Sequence, residues 1–167
     1  MRFIRADKKD IQRLVHLAWN IWPEWYWPVI GPEQLAYMLD AIYTPASIES
    51  QMEKGQEFFI LSIGTEDAGF LSISQTGTGR LEKLYLKSEY RGKGTGSMML
   101  DFAAEQVMKA GGREIQLNVN RFNPALTFYL RSGFEILREE DIPFGPFFLN
   151  DFILSRDLNT SGIKKRK

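Results

Sequence analysis

The chain has 167 residues, which suffices for one domain with a single buried core, and its 21 basic and 21 acidic side chains give a formal net charge of zero. This balance argues against a nucleic-acid partner, because no basic field covers the chain. The sequence contains no cysteine, which excludes a cysteine nucleophile, a thiolate zinc site and a disulfide framework.

The N-terminal segment MRFIRADKKD has charges where a secretory signal needs an apolar core, and no apolar run approaches the roughly 18 residues of a membrane span. We therefore expect a cytoplasmic protein with no membrane partner. A basic cluster at residues 164–167 follows the last predicted strand. The sequence thus predicts one domain over residues 1–158 and a basic, disordered tail over residues 159–167.

Helical patterns dominate the N-terminal third of the chain. A short strand precedes a helix that opens at Asp7 or Asp10 and has apolar residues at helical spacing. The segment NIWPEWYWPVIGPEQ, residues 20–34, contains three prolines and predicts a loop rich in aromatic residues. Pro32 suits the first turn of a second helix, and Thr44 caps a third, short one.

From residue 57 onward, the apolar pattern takes the period of a strand. EFFILSIG, AGFLSISQT and GRLEKLYLK are separated by turn-rich segments, which predicts three antiparallel strands in a meander. A glycine-rich turn and a helix follow, and then the strand REIQLNVN, the helix NPALTFYLRS and two further strands. Only one strand–helix–strand crossover is clear, so the sequence predicts an α+β fold.

The stretch YRGKGTGS, residues 90–97, places three glycines at alternate positions between a predicted strand and a predicted helix. Glycine lets the backbone approach an anion, and a helix N-terminus carries about half a positive charge, so this turn suits a phosphate. The P-loop pattern fails, because Lys87 stands where its first glycine belongs and Gly94 follows Lys93. The dinucleotide pattern fails too, because Ser97 replaces its third glycine. A tight turn without a ligand remains the alternative.

Two motifs resemble the GNAT superfamily of N-acetyltransferases. Arg91, Gly94 and Gly96 match its R/Q-x-x-G-x-G/A motif on a strand–turn–helix unit. One helix and one strand downstream, the motif Asn-x-Ala-x-x-x-Tyr-x-x-x-Gly-Phe is matched in register by Asn123, Ala125, Tyr129, Gly133 and Phe134. The resemblance is specific from Leu81 to Phe134 and compatible with the rest of the chain.

The resemblance implies the GNAT fold, a mixed, mostly antiparallel sheet of about seven strands, flanked by helices and splayed at a cleft for acetyl-coenzyme A. The pyrophosphate would lie on the glycine turn and the pantetheine arm along the edge amides of the preceding strand. The implied cofactor-binding residues are Leu84, Tyr85, Leu86, Arg91, Gly92, Lys93, Gly94, Thr95, Gly96, Ser97, Asn123 and Phe128. Because Pro124 follows Asn123, a helix N-cap is a second role for this asparagine, and both roles can hold.

Tyr129 matches the position of the usual general acid of the superfamily, where a phenol can give its proton to the departing thiolate. The alternative is a core position on an amphipathic helix. Deprotonating the acceptor is harder, because a lysine-like amine with a pKa of about 10.4 costs roughly 4.6 kcal/mol to present neutral at pH 7.

Glu82, on the strand that enters the glycine turn, is the candidate general base, acting through water; an exposed strand carboxylate is the alternative. Some members of the superfamily have a glutamate on the neighbouring strand. Asn118 stands near that place here and cannot act as a base.

In this superfamily, the region of the aromatic segment often walls the acceptor side. The candidate substrate-binding residues are Trp22, Glu24, Trp25, Tyr26 and Asn118, and aromatic faces or Glu24 could hold a cation. A hydrophobic latch or a dimer contact is the alternative. The segment PFGPFF, residues 143–148, could close the same pocket, and the acids Glu139, Glu140 and Asp141 would also suit a compact cation. With His16 as the only histidine, we expect no metal site.

The sequence therefore predicts transfer of acetyl from acetyl-coenzyme A to a primary amine of a small molecule or peptide. Because no side chain resembles an acyl-accepting nucleophile, we expect direct attack in a ternary complex. The alternative is a non-catalytic module of the same fold that binds acyl-coenzyme A as a sensor. The acceptor itself is not predicted, and the two apolar C-terminal strands could pair across a homodimer.

Overall fold

The computed structural model describes residues 1–75 and 78–159, so the predicted tail lies outside the described residues apart from Asn159. Within these ranges, seven strands form one sheet: β1 (Arg2–Arg5), β2 (Glu57–Ile63), β3 (Glu66–Ser74), β4 (Gly79–Leu86), β5 (Glu114–Asn120), β6 (Glu135–Phe144) and β7 (Phe147–Asp157). Their order is β1-β2-β3-β4-β5-β7-β6. All neighbours are antiparallel except β4 and β5, which are parallel. The predicted α+β architecture is confirmed.

Helices cover both faces of this sheet. They are α1 (Ile11–Ile42), α2 (Pro45–Glu53), α3 (Thr95–Lys109) and α4 (Ala125–Arg131), with short 3-10 turns at Lys8–Asp10 and Ser88–Tyr90. α3 and α4 pack on one face over a core that includes Leu71, Leu117 and Leu154. α1 and α2 pack on the other face, over Phe58 and Phe70. Among the described helices, none has both the length and the apolar character needed to cross a membrane.

The aromatic segment of residues 20–34 is helical except at Gly31, so the prediction of a loop there was wrong, whereas the predicted start of a second helix at Pro32 is confirmed. α1 runs through Pro23 and Pro28 and is kinked at Gly31, whose φ of 76° and ψ of 169° are not helical. A proline inside a helix costs about 3 kcal/mol. The helix persists because Ile21 and Trp22 are 1% and 3% exposed, and each such burial contributes about 1.5–3 kcal/mol. Tertiary packing overrides the local proline signal.

β4 and β5 separate to form a cleft. They pair only where Gly79–Leu81 lie beside Ile115–Leu117. Beyond this point β5 stays paired with β7 over its whole length, whereas no strand of the described residues pairs with the edge of β4 that faces β5. The backbone of β4 from Glu82 to Leu86 is therefore open toward the cleft.

A β-bulge in β4 determines which side chains face which helix layer. Ser72 and Ile73 are consecutive in β3, yet they pair with Lys83 and Leu81, so Glu82 is the extra residue of β4. As a result Tyr85 belongs to the core under α1, and Lys83 lies over rings of that same core. Leu81 and Leu84 belong to the core under α3.

β6 and β7 form a hairpin within the chain, and β6 continues to Phe144. The PFGPFF segment is the tip of this hairpin, where Tyr37 of α1 packs on Phe144 and Phe147 with ring centroids 5.9 and 5.6 Å apart. The tip thus joins the hairpin to α1. Pairing of these strands across a homodimer stays a prediction.

Candidate active site

One cavity of about 520 Å³ passes through the cleft between β4 and β5. We call the side at the glycine turn, the open edge of β4 and α4 the donor half, and the side facing α1 the acceptor half. Of the predicted site residues, the cavity is lined by Trp25, Tyr26, Glu82, Leu84, Tyr85, Leu86, Arg91, Gly92, Gly94, Gly96, Ser97, Asn118, Asn123, Phe128 and Tyr129. The fold therefore brings two distant sequence motifs to one cleft.

The glycine turn leads directly into α3. Gly92 and Gly94 have positive φ values of 70° and 82°, which glycine adopts without strain. Gly94 is the N-cap residue of α3 and provides no side-chain cap. The first amides of a helix have no partner within the helix, so this turn presents free donors to an anion.

Arg91 connects the turn to α1. Its Nε donates to the carbonyl oxygen of Leu86 at 2.7 Å, and its guanidinium lies 3.5 Å from the ring centroid of Trp25. One Nη is 3.8 Å from the carboxylate of Glu24, and the other is buried without an acceptor among the described residues. Burial lowers the pKa of Arg91, and Glu24 and Glu89 oppose that shift.

Asn123 precedes Pro124, the N-cap residue of α4, and also lines the cavity. Its Oδ1 accepts a hydrogen bond from the amide of Ala125 at 2.9 Å, as a helix cap does. The two roles considered for this residue are therefore compatible in one conformation.

Tyr129 lies on α4, is 8% exposed and borders the cavity. Its ring packs on Phe128 and Phe134, with centroids 5.1 and 5.9 Å apart. Burial raises the pKa of Tyr129 above its ordinary value, so the phenol keeps its proton throughout the physiological range. A protonated hydroxyl at this place can serve as a proton donor.

Glu82 belongs to a polar network that crosses the acceptor half. Its Oε1 accepts a hydrogen bond from Ser74 at 2.6 Å and lies 3.5 Å from Nε of Arg80. Arg80 in turn donates to Oδ1 of Asn118 at 2.7 Å. Asn118 donates to a carboxylate oxygen of Asp151 at 3.3 Å, and burial raises the pKa of Asp151. The network holds Glu82 and Asn118 in place on neighbouring strands.

Some predicted site residues do not line the cavity. Trp22 lies behind it, stacked on Tyr26 with centroids 4.3 Å apart. Lys93 donates to the carbonyl oxygen of Glu89, and Thr95 is buried at the start of α3. Glu24 reaches the site only through Arg91.

The prediction also missed lining residues: Leu81, Lys83, Leu117, Val119, Pro124 and Ala125. Lys83 is the only charged member of this group. Simple strand alternation from Leu81 would place Lys83 on the face of α3, and the bulge that places it under α1 cannot be read from the local sequence. His16 is on α1 near Asn20, and the described residues hold no cluster of three side chains suited to a metal.

Comparisons with known proteins agree with this geometry. Residues 27–144 match the family model described as an acetyltransferase (GNAT) domain. An uncharacterised N-acetyltransferase encoded in the pepI 3′ region of Lactobacillus delbrueckii subsp. lactis is 20% identical over 169 residues, covering 95% of this chain and 98% of the relative.

Two solved structures share the fold. The PaiA N-acetyltransferase from Thermoplasma acidophilum, solved in complex with coenzyme A, has a TM-score of 0.79 and 23% identity, over 93% of this chain and 98% of that one. A GCN5-related N-acetyltransferase from Rhodopseudomonas palustris has a TM-score of 0.81 and 15% identity, over 94% and 95% of the two chains. Because the family match spans more than half of the sequence, the chain belongs to the GNAT family of acetyltransferases, whose acetyl donor is acetyl-coenzyme A.

Proposed function

We propose that this chain is an N-acetyltransferase that moves acetyl from acetyl-coenzyme A to a primary amine by direct attack in a ternary complex. The observation that carries the proposal is the continuous cavity of about 520 Å³, which runs from the glycine turn past Tyr129 to α1. A continuous cavity can hold donor and acceptor side by side, which supplies the proximity that direct transfer requires.

The donor half fits coenzyme A. Apart from the adjoining residues, no atom of the described chain lies within 4 Å of where a Cβ would stand on Gly92 or Gly94, so a phosphate has room to approach the uncapped amides of α3. The free edge of β4 at Leu84–Leu86 offers backbone groups to an extended arm. When bound, the cofactor supplies an acetyl thioester, an acyl group that amines attack.

Tyr129 is the proposed general acid. Its buried phenol holds a proton at Oη at neutral pH and can give it to the sulfur as the C–S bond breaks. The packing of Phe128 and Phe134 limits the motion of the ring. The same position allows the hydroxyl to stabilise negative charge on the sulfur.

Glu82 is the proposed base, which receives the proton of the amine through water as the N–C bond forms. Its Oε1 is bound by Ser74, whereas Oε2 accepts no hydrogen bond from the part of the chain that the structure describes. The free oxygen can contact a water molecule in the cavity. The base offsets part of the roughly 4.6 kcal/mol that a neutral lysine-like amine costs at pH 7.

The first test measures acetyl-coenzyme A binding by calorimetry, on the wild type and on Gly94→Val. Valine is strained at the φ of 82°, and its side chain would fill the space proposed for phosphate. We expect binding to weaken at least about 100-fold, which corresponds to losing one or two charge-assisted hydrogen bonds. Gly64→Val is the matched control, since Gly64 also has a positive φ, 61°, but lies outside the cavity.

Thiol release from acetyl-coenzyme A, followed against a panel of primary amines, completes the test. Turnover on an amine supports the proposal. Binding without turnover on any amine would favour the sensor, and wild-type protein that fails to bind acetyl-coenzyme A would contradict both functions.

A further inference from the structure

Lys83 is a buried cation in the acceptor half of the cavity. It lines the cavity and is 9% exposed. Within residues 1–75 and 78–159, no side chain forms a hydrogen bond or an ion pair with its Nζ. Burial lowers the pKa of Lys83 to about 8, with Glu82 opposing the shift, so the ammonium form still predominates at pH 7.

A buried charge normally has a counter-charge or several hydrogen bonds, because desolvation is costly. Besides the neighbouring Glu82, which opposes the pKa shift, the compensation for Lys83 among the described residues is aromatic: its Nζ lies 5.8 Å from the ring centroid of Tyr43 and 5.6 Å from that of Phe58. Such contacts are weaker than an ion pair formed out of water. Because Lys83 is also a lining residue of the cavity, its ammonium is suited to an anion that arrives with the ligand.

The acidic side chains that suggested a cationic acceptor already have partners within the chain. Arg121 lies 3.6 Å from a carboxylate oxygen of Glu139 and 2.7 Å from one of Asp141. Arg138 pairs with Glu140 at 2.5 Å. These acids therefore already have arginine partners: Arg138 on β6, and Arg121 directly after β5.

Of the aromatic residues proposed to hold a cation, Trp25 already has the guanidinium of Arg91 at 3.5 Å from its ring centroid. In the lining, Glu82 is bonded to Ser74 and lies near Arg80, and Arg91 is stacked on Trp25. Lys83 is thus a charged lining residue whose Nζ forms neither an ion pair nor a hydrogen bond within the described chain.

The geometry points to an acceptor that carries a carboxylate in addition to its primary amine, with Lys83 as the residue that binds the carboxylate. This inference rests on the proposed function, because it names the class of amine that is acetylated. Lys83 and its neighbour Glu82 both line the cavity. One substrate can therefore place its carboxylate at Lys83 and its amine at Glu82. Lys83 then determines specificity and takes no part in the proton transfers.

The test compares ω-amino acids, from glycine to 6-aminohexanoate, each with the alkylamine of equal length. We expect the best amino acid to exceed its alkylamine in kcat/KM by about 10- to 100-fold, as for one hydrogen-bonded charge pair. Lys83→Met should abolish that preference through a higher KM for the amino acids. Lys83→Arg should retain part of the preference. Equal use of both amines by the wild type, or an equal loss on both in Lys83→Met, would overturn the inference.

A binding experiment keeps the inference separate from the proposed function. The N-acetylated amino acids and the matching N-alkylacetamides are titrated into coenzyme A-loaded wild type and Lys83→Met. Carboxylate-dependent affinity that is lost in the variant supports the anion site even if no amine is acetylated. Carboxylates that bind neither protein, or both equally, refute it even if acetyl transfer is demonstrated.

Discussion

The two halves of the cavity use different parts of the same chain. The donor half is built from backbone: positive-φ glycines, the uncapped start of α3 and the open edge of β4. The acceptor half is built from side chains, with Trp25 and Tyr26 from α1, Lys83 from β4 and Asn118 from β5.

This difference has a chemical basis. Phosphates and an extended amide arm can be bound by backbone amides at a helix N-terminus and a strand edge, which require only a particular turn and a free edge. An amine of particular shape and charge must be recognised by side chains, and the side chains of the acceptor half come from three separate elements. A backbone site leaves a local sequence motif, whereas a site assembled from side chains does not.

Arg91 is the point where the halves meet. It belongs to the glycine turn, bonds the end of β4 at Leu86, and stacks on Trp25 of α1. We therefore expect changes at Arg91 to affect both halves, and changes elsewhere to affect one.

The largest effect is expected from Tyr129→Phe, which tests whether catalysis separates from donor binding. Removing the proton donor should lower kcat by about 10²- to 10⁴-fold. Calorimetric affinity for acetyl-coenzyme A should stay close to that of the wild type, because the ring and its packing remain. Tyr37→Phe, at an exposed position on α1 outside the cavity, is the control. An unchanged kcat would show that Tyr129 is only a core residue.

The second effect is on stability and concerns the acceptor half alone. Lys83→Met should raise the free energy of unfolding by about 3 kcal/mol at pH 7, since the pKa falls from 10.5 to about 8 on folding and one unit is about 1.4 kcal/mol. A lysine with a lowered pKa destabilises the folded state below pH 8, and that cost vanishes as pH rises toward 10.5. The stability gained in Lys83→Met should therefore shrink as the pH rises from about 8 to 10.5.

Denaturant unfolding at pH 7 and at about pH 10 measures this difference. The exposed Lys109→Met on α3 should change stability by less than about 0.5 kcal/mol at either pH. A Lys83→Met protein that is less stable than the wild type would show that the ammonium has a stabilising partner.

The smallest effect is expected from Arg91→Met, which tests the connection between the halves. Methionine keeps apolar contact with Trp25 but loses the stacked guanidinium and the bond to Leu86, interactions of about 1 kcal/mol each. The Kd for acetyl-coenzyme A and the KM for the amine should both rise by roughly 3- to 10-fold. Glu24→Gln, which removes only the half-exposed ion pair, should change neither by more than about twofold. A change in only one of the two constants would show that the halves are independent.

Much of this molecule could be predicted because its signals are local. The strand runs of β2 to β5, the glycine turn and the register of the second motif each depend on residues close together in the chain, and the structure contains the corresponding elements. The α+β fold follows from their order. The residues of the donor half could also be predicted from local sequence, since a turn and a helix start are determined by their own residues.

The acceptor half shows what local reasoning could not provide. The helix through Pro23 and Pro28 exists because Ile21 and Trp22 are buried against the sheet, and that burial is known only once α1 has docked. The partners of the acids at 139–141 lie on β6 and at the end of β5.

The sequence by itself determined the fold class, the glycine turn before α3 and the family resemblance, because each rests on short-range backbone preferences and fixed spacing. The tertiary structure alone decided that the bulge in β4 puts Lys83 beneath α1 and that no described residue neutralises it. Which charge a cavity lacks depends on every element that surrounds it, and those elements come from distant parts of the chain.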